Sequence, residues 1–342
     1  MTSAKGLTTN GPRNTFETAT NMNILVTGGA GYVGSTLIPM LLASGHRVRV
    51  FDSLLHGGRS MLSVWAHPGF DFRFGDIRDY KAVRDSVAGM DAVVHLAAIV
   101  GDPACARQPQ VARAVNLDAS LALLEESKLA GVSRFVFAST CSNYGRMSEP
   151  ESYIDETSEL KPVSLYAETK VAVEQAMIGA SDGPVCQTLL RFATVYGVSP
   201  RMRFDLTVNE FTADLLIKKQ LIVFGEQFWR PYIHVRDAAR AIGLVLSAER
   251  NKVRGEIFNV GSTAENYQKQ QLVELMRPYA PEANIEYVHK EEDPRDYRVC
   301  FSKIEQRLGF IGTLTVRDGI EEIAELVKDR VISDFESAAY RN

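Results

Sequence analysis

Asn23-Ile-Leu-Val-Thr27-Gly28-Gly29-Ala30-Gly31-Tyr32-Val33-Gly34 reads as a short β-branched strand, a glycine-rich turn and the start of a helix running from Tyr32 to Ala43. Side chains at the glycine positions would block both the tight turn and the approach of a diphosphate to the backbone N–H groups at the helix start. Gly28, Gly31, Tyr32, Val33 and Gly34 are therefore the first candidate cofactor-binding residues. The next strand, Arg47 to Phe51, ends at Asp52, 21 residues beyond Gly31. An acid at that spacing accepts hydrogen bonds from both ribose hydroxyls and repels a 2′-phosphate, so the expected cofactor is NAD rather than NADP. Arg47, Arg49 and Arg59 lie nearby and weigh slightly the other way.

The same alternation continues outward. Strands are expected at Phe70 to Phe74, Ala92 to Leu96, Arg134 to Ala138 and Gln187 to Phe192, with Ile257 to Val260 as a late addition. Helical patterns fill the gaps at Tyr80 to Val87, Ala112 to Ala130 and Tyr166 to Ile178. Strand and helix in alternation make a parallel sheet covered on both faces, a doubly wound α/β fold of the Rossmann type. After about residue 193 the rhythm gives way to longer loops with mixed elements at Phe204 to Lys219, Gln270 to Pro278 and Ile320 to Lys328. The expected organisation is an extension over residues 1–21, a cofactor domain over 22–193 and a smaller mixed α/β substrate lobe over 194–335. Segments around 231–262 are expected to return to the first domain.

Composition bounds the function. The 342 residues are 45% hydrophobic and 23% charged, with a formal net charge of -4. A chain with that balance offers no general basic surface for a nucleic-acid backbone. No run approaches the roughly 18 apolar residues of a membrane-spanning helix. Met1 to Asn21 is rich in Thr, Asn, Ser and Gly and lacks the apolar core of a secretory signal. Cys105, Cys141, Cys186 and Cys300 are scattered, which argues against a disulfide framework and a zinc site and suits a reducing cytoplasm.

The segment Gly75-Asp-Ile-Arg-Asp79 closes the third strand; Asp76 suits either an adenine amino group or a helix cap at Tyr80. Together with Thr27-Gly-Gly-Ala-Gly-Tyr-Val-Gly34, His95-Leu-Ala-Ala98 and Tyr166-Ala-Glu-Thr-Lys170, it resembles the extended short-chain dehydrogenase/reductase family, in its nucleotide-sugar epimerase/dehydratase branch. The resemblance runs from Asn23 to about Leu308. It implies that Asp76 and Ile77 contact adenine, that Leu96, Ala97 and Ala98 line the cofactor's ribose and diphosphate, and that Asn116 holds the loops of that pocket.

Tyr166 and Lys170 are one helical turn apart and project from one face. An ammonium beside a phenol stabilises the phenolate, so the sequence predicts a lowered Tyr166 pKa and a base usable near neutral pH. Alone, such a pair is commonly a surface contact. The strand ending in Ser139-Thr140-Cys141-Ser142-Asn143-Tyr144-Gly145 strengthens the catalytic reading, because ligands bind at that edge of a doubly wound sheet. The resemblance places a catalytic hydroxyl at Thr140, makes Tyr166 the acid/base and has Lys170 also bind the nicotinamide ribose. Cys141 and Ser142 stand where the family's 4,6-dehydratases carry Asp-Glu, which argues against elimination. Both are candidate substrate contacts, Cys141 either as a small pocket wall or as an extra acid/base.

The block Arg230-Pro-Tyr-Ile-His-Val-Arg-Asp237 resembles the family's diphosphate-binding segment, with Pro231 in place of an acid. A guanidinium can pair two phosphate oxygens at once. Arg295 and Arg298 compete for the role of a second diphosphate arginine. By the resemblance, Thr194 stands where the uridine-diphosphate-galactose epimerases usually carry an asparagine near the sugar, so their exact substrate is not implied, and Arg201, Arg203 and Asn209 fall in the segment expected to face the nucleotide. His95 and His234 sit in apolar strands and read as structural. The expected activity is C4 epimerisation of a nucleotide-diphosphate sugar through a transient 4-keto sugar, by a protein expected to pair through helices 112–130 and 166–178 as a homodimer. A net keto-sugar reductase is the alternative enzyme reading, and a non-catalytic NAD-sensing protein is the alternative from another class.

Overall fold

The computed structural model describes residues 21–147, 152–293 and 295–342. The extension read over Met1 to Asn21 lies outside the described residues except for Asn21. Seven parallel strands form the main sheet: β1 (Asn23–Thr27), β2 (Arg47–Asp52), β3 (Phe70–Phe74), β4 (Ala92–His95), β5 (Arg134–Thr140), β6 (Cys186–Phe192) and, from much later in the chain, Glu256–Val260. Their order is β3-β2-β1-β4-β5-β6 followed by the late strand, so the sheet winds outward both ways from the β1/β4 junction. That junction is the place where a doubly wound sheet opens a crevice for ligands. The late strand pairs with β6 in parallel, Ile257 opposite Leu189.

Central strands of such a sheet are covered on both faces and read as unbroken apolar runs. Ile24, Leu25 and Val26 are fully buried, as are Val93 and Val94. The helices that cover them are α1 (Tyr32–Ala43), α2 (Tyr80–Val87), α3 (Asp102–Arg107), α4 (Pro109–Arg113), α5 (Ala119–Leu129) and α6 (Leu165–Gly179). The helix expected over Ala112 to Ala130 is interrupted by a π-helical turn at Ala114–Asp118. The turn contains Asn116, whose side chain reaches out of the helix to the backbone of Ile99. Such turns are common at functional sites. Strand β5 runs two residues past the predicted Ala138, which puts Thr140 on the strand's last position.

Much of the remaining chain builds the lobe around its own core, including Tyr196, Phe204, Leu272 and Ile320. The lobe contains β7 (Thr194–Tyr196), α7 (Thr207–Ala213), β8 (Gln220–Phe224) and β9 (Trp229–His234), whereas α8 (Val235–Ser247) packs on α1 and buries Ala238, Ile242 and Val245 in the core of the sheet half. Packing continues to the end of the described chain, where Phe335 and Tyr340 set their rings edge-on to Phe204. Among the described residues no helix is long and apolar enough to cross a membrane, and no cluster of three His, Cys, Asp or Glu could hold a metal ion.

Candidate active site

The glycine turn is built for close approach. Gly28 adopts φ +72°, and a Cβ there would lie 2.6 Å from the Ala97 nitrogen at the end of β4. At Gly34 a Cβ would meet the Gly29 Cα at 2.6 Å, so α1 packs directly on the turn. Gly31 caps α1 without a side chain, leaving the first N–H groups, those of Tyr32 and Val33 among them, at the helix's positive end. The Tyr32 ring is buried and its hydroxyl donates to the Gly197 carbonyl at 2.5 Å, tying the turn to the lobe. Asp52 accepts from the Ala30 N–H at 2.9 Å and from the Leu54 N–H at 2.8 Å. Burial raises its carboxyl pKa, partly offset by these two bonds.

The other side of the crevice is formed by Leu96, Ala97 and Ala98, all half-buried. Asn116 accepts from the Ile99 N–H at 2.8 Å and donates to the Ile99 carbonyl at 2.9 Å, clamping both backbone groups of one residue. Asp76 pairs with the Arg78 guanidinium at 2.6 Å, while the helix cap before Tyr80 is Asp79, which accepts from Lys81 and Ala82. Ile77 beside it is buried. A side-chain-free cradle at a helix start, with a carboxylate across it at the end of β2, fits a dinucleotide. His95 bonds Thr27 and Ser120, and burial lowers its pKa to about 3, so it is a neutral core residue. His234 caps α8 and pairs with Glu322 at 3.0 Å.

Thr140 closes β5, and Tyr166 and Lys170 lie on the first two turns of α6. The Thr140 hydroxyl oxygen accepts from the Ser142 N–H at 3.1 Å, and Ser164 caps α6 through the Ala167 N–H, fixing Tyr166 in the first turn. The Lys170 ammonium donates to the Ala138 carbonyl at 2.7 Å and lies 4.5 Å from the Phe137 ring and 5.9 Å from the Tyr166 ring. Burial lowers its pKa to about 8, with Glu174 and Cys105 opposing. The expected lowering of the Tyr166 phenol is not found. Burial raises it, helped by Cys105 and Asp102, and Arg203 acts in the other direction.

Sequence reading missed the buried polar network behind this trio. Glu174, one turn beyond Lys170, pairs with Arg191 of β6 at 2.6 Å, and both are almost wholly buried. Glu174 also accepts from the Ser139 hydroxyl and from Asn143, and Arg191 donates to the Tyr144 hydroxyl at 2.9 Å. Ser139 and Arg191 lie on adjacent strands in register, so one carboxylate joins α6, β5 and β6. The run Tyr166, Lys170, Glu174 at helical spacing was the available signal.

Beyond Thr140 a cavity of about 450 Å³ opens between sheet and lobe; its lining includes Ser142, Thr194, Arg230, Arg295 and Tyr297, the acids Glu210 and Asp214, and the apolar Phe211, Leu221 and Phe224. Arg230 is held by Asp293 at 2.7 Å and Arg295 by Asp102 at 3.0 Å. Three of the predicted substrate contacts are elsewhere. Cys141 is turned into the core, its thiol donating to the Arg191 carbonyl at 3.2 Å, and burial pushes its pKa far up. Asn209 is fully buried, bonded to Gly197, Arg203 and the Tyr32 hydroxyl, so it braces the lobe against the glycine turn. Arg298 stacks between Tyr153 and Trp229, which leaves Arg295 as the arginine facing the cavity. Arg201 and Arg203 are buried, the first bonded to the Arg341 carbonyl and the second to Asp205, and the charges of both are felt at His56.

Residues 24–261 match the model of the NAD dependent epimerase/dehydratase family. The chain belongs to that family. The match spans the glycine turn, Asp52, the Thr140-Tyr166-Lys170 trio and Arg230, and the family's cofactor is NAD, in keeping with the cradle. The UDP-glucose 4-epimerase of Bacillus subtilis is 30% identical over 330 residues, covering 88% of this chain and 94% of that relative. Among solved structures, the UDP-glucose 4-epimerase of Thermotoga maritima with UDP-glucose superposes with a TM-score of 0.80 at 27% identity, covering 91% of this chain and 100% of that one. The dTDP-glucose 4,6-dehydratase of Streptomyces venezuelae, with NAD and TYD bound, gives a TM-score of 0.80 at 28% identity over 90% and 98%. Similarity to both kinds of enzyme leaves the reaction to be argued from the site.

One pH effect follows from the burial of Lys170 in this chain. Lys170 has a pKa of about 8 against an ordinary 10.5. Its ammonium is lost as pH rises through about 8, and turnover that needs the charge is expected to fall over that range in a pH–rate profile. The same shift has a defined sign in stability. Between about pH 8 and 10.5 the unfolded chain binds the proton and the folded chain does not, so this residue makes unfolding less favourable as pH rises. The stability difference between the wild type and Lys170→Met, followed by denaturant titration, is expected to shift in the wild type's favour across that window.

Proposed function

We propose that the chain is an NAD-dependent nucleotide-sugar 4-epimerase. The observation that carries this reading is the pair of residues after Thr140: Cys141 is buried away from the cavity and Ser142 lines it, so neither position supplies the carboxylate that elimination of water requires. A 4-epimerase needs one proton removed from the C4 hydroxyl and returned to it, work for one phenol and one neighbouring hydroxyl.

Tyr166 takes and returns that proton, while Thr140 hydrogen-bonds the same oxygen. Lys170 holds a positive charge on the cofactor side of the phenol and favours its ionised form. Arg230 and Arg295 pair with the substrate's diphosphate, and the apolar wall of Phe211, Leu221 and Phe224 takes the base. When bound by the glycine turn and Asp52, NAD supplies reversible oxidation at C4. With the diphosphate anchored, the sugar ring turns over in the part of the cavity that Ser142 and Thr194 line. The Bacillus subtilis and Thermotoga maritima relatives, both named UDP-glucose 4-epimerases, support the reading.

The test is incubation of the NAD-loaded protein with UDP-, dTDP-, GDP- and CDP-sugars. Interconversion of C4 epimers by NMR with no net absorbance change at 340 nm is the expected outcome. Stoichiometric consumption of added NADH would assign the chain to keto-sugar reduction instead, and release of a 4-keto-6-deoxy product would assign it to dehydration.

A further inference from the structure

Three basic side chains, Arg230, Lys269 and Arg295, line one cavity. Two of them share a single acid from their own lobe. Asp293 lies 2.7 Å from Arg230 and 3.8 Å from Lys269, and the Arg230 and Asp293 side chains keep only 10% and 14% of their accessible surface. Arg295 is held differently. Its partner Asp102 opens α3, on the loop that leaves β4, so this ion pair runs from the sheet half to the lobe across the cavity's edge. The two side chains are 41% and 32% exposed.

The sheet side of the pair is fixed. Cys105 of α3 donates to the Ile99 carbonyl, the same residue that Asn116 clamps, so Asp102 is anchored to the cofactor crevice. Its charge also reaches the Tyr166 phenol, where it opposes ionisation. A half-exposed ion pair is weakly held, whereas a diphosphate offers a guanidinium more charge and two oxygens at once.

Building on the nucleotide-sugar reading, we infer that Asp102 is a positioning residue that competes with the substrate's diphosphate for Arg295. The guanidinium rests on Asp102 in the free protein and turns to the phosphate oxygens when a nucleotide diphosphate enters, so binding opens a link between the two halves. A rival account gives Asp102 only a helix-start role, an acid placed against the dipole of α3. That account predicts no effect on nucleotide affinity.

Calorimetric titration of UDP, dTDP, CDP and GDP into the NAD-loaded full chain separates the two. In Asp102→Asn the nucleotide diphosphate that wild type binds most tightly is expected to bind about two- to fivefold more tightly, the scale of an exposed ion pair. Arg295→Ala binds it more weakly, and adding Asp102→Asn to Arg295→Ala brings no gain. Unchanged or weaker binding by Asp102→Asn overturns the inference, as does an equal gain without Arg295, which would reduce the effect to long-range repulsion. If wild type binds these nucleotides but isomerises no nucleotide sugar, the 4-epimerase reading falls and the exchange stands on its own titrations. Failure of all four to bind either protein overturns both.

Discussion

Replacing Tyr166 by Phe is expected to lower turnover of a nucleotide sugar by about 10²- to 10⁴-fold, the range of a positioned general acid/base. The substitution removes one oxygen from a half-buried ring in the first turn of α6 and leaves the Ser164 cap and the Lys170 contacts in place. Nucleotide-diphosphate affinity, read by calorimetry, is expected to stay within about twofold, because the proposed diphosphate contacts, Arg230 and Arg295, are untouched. The loss therefore falls on kcat and not on binding. A variant that keeps its kcat within about tenfold of wild type would remove Tyr166 as the proton-transfer group.

The largest stability effect is expected at Glu174. Its carboxylate is buried against Arg191 and also receives Ser139 and Asn143, so it joins α6 to β5 and β6 one turn beyond Lys170. Glu174→Gln leaves the Arg191 guanidinium uncompensated in the core, and breaking a buried pair in this way costs about 3–5 kcal/mol. Denaturant unfolding is expected to show that loss, with Arg191→Met close to it. The double variant Glu174→Leu/Arg191→Met is expected to be less damaged than the sum of the single ones, because no lone charge remains. Loss of less than about 1 kcal/mol in Glu174→Gln would show that the pair carries no such burden.

What the sequence made legible were features set by local backbone requirements. The glycine turn and Asp52 each mark the end of a strand, and Tyr166 and Lys170 share a helix face, so spacing placed them, whereas Thr140 was picked out by the family resemblance and lies two residues past the expected strand end. Features that depend on which strands become neighbours were hidden. Glu174 reads as an ordinary acid in a helix until β6 brings Arg191 beside it. Cys141 reads as a pocket residue because it follows Thr140, yet the chain leaves β5 there in a 3-10 turn that directs the thiol to the Arg191 carbonyl. Asn209 misled for a similar reason. A polar residue near the substrate segment looks like a ligand, but here its amide closes the gap between Tyr32, Gly197 and Arg203. The phenol of Tyr166 shows the limit of pairwise reasoning, since burial, with Cys105 and Asp102, raises a group that the Lys170 ammonium was expected to lower.

Epimerisation at C4 within one bound sugar makes a demand that no rival reaction shares. The most direct measurement is turnover of a nucleotide sugar deuterated at C4, using whichever base and sugar the substrate panel selects, with the product analysed by NMR and mass spectrometry. The account predicts a C4-epimeric product that retains its deuterium at C4, with no NADH released. Deuterium found at another carbon, or lost to a free cofactor pool, would contradict it.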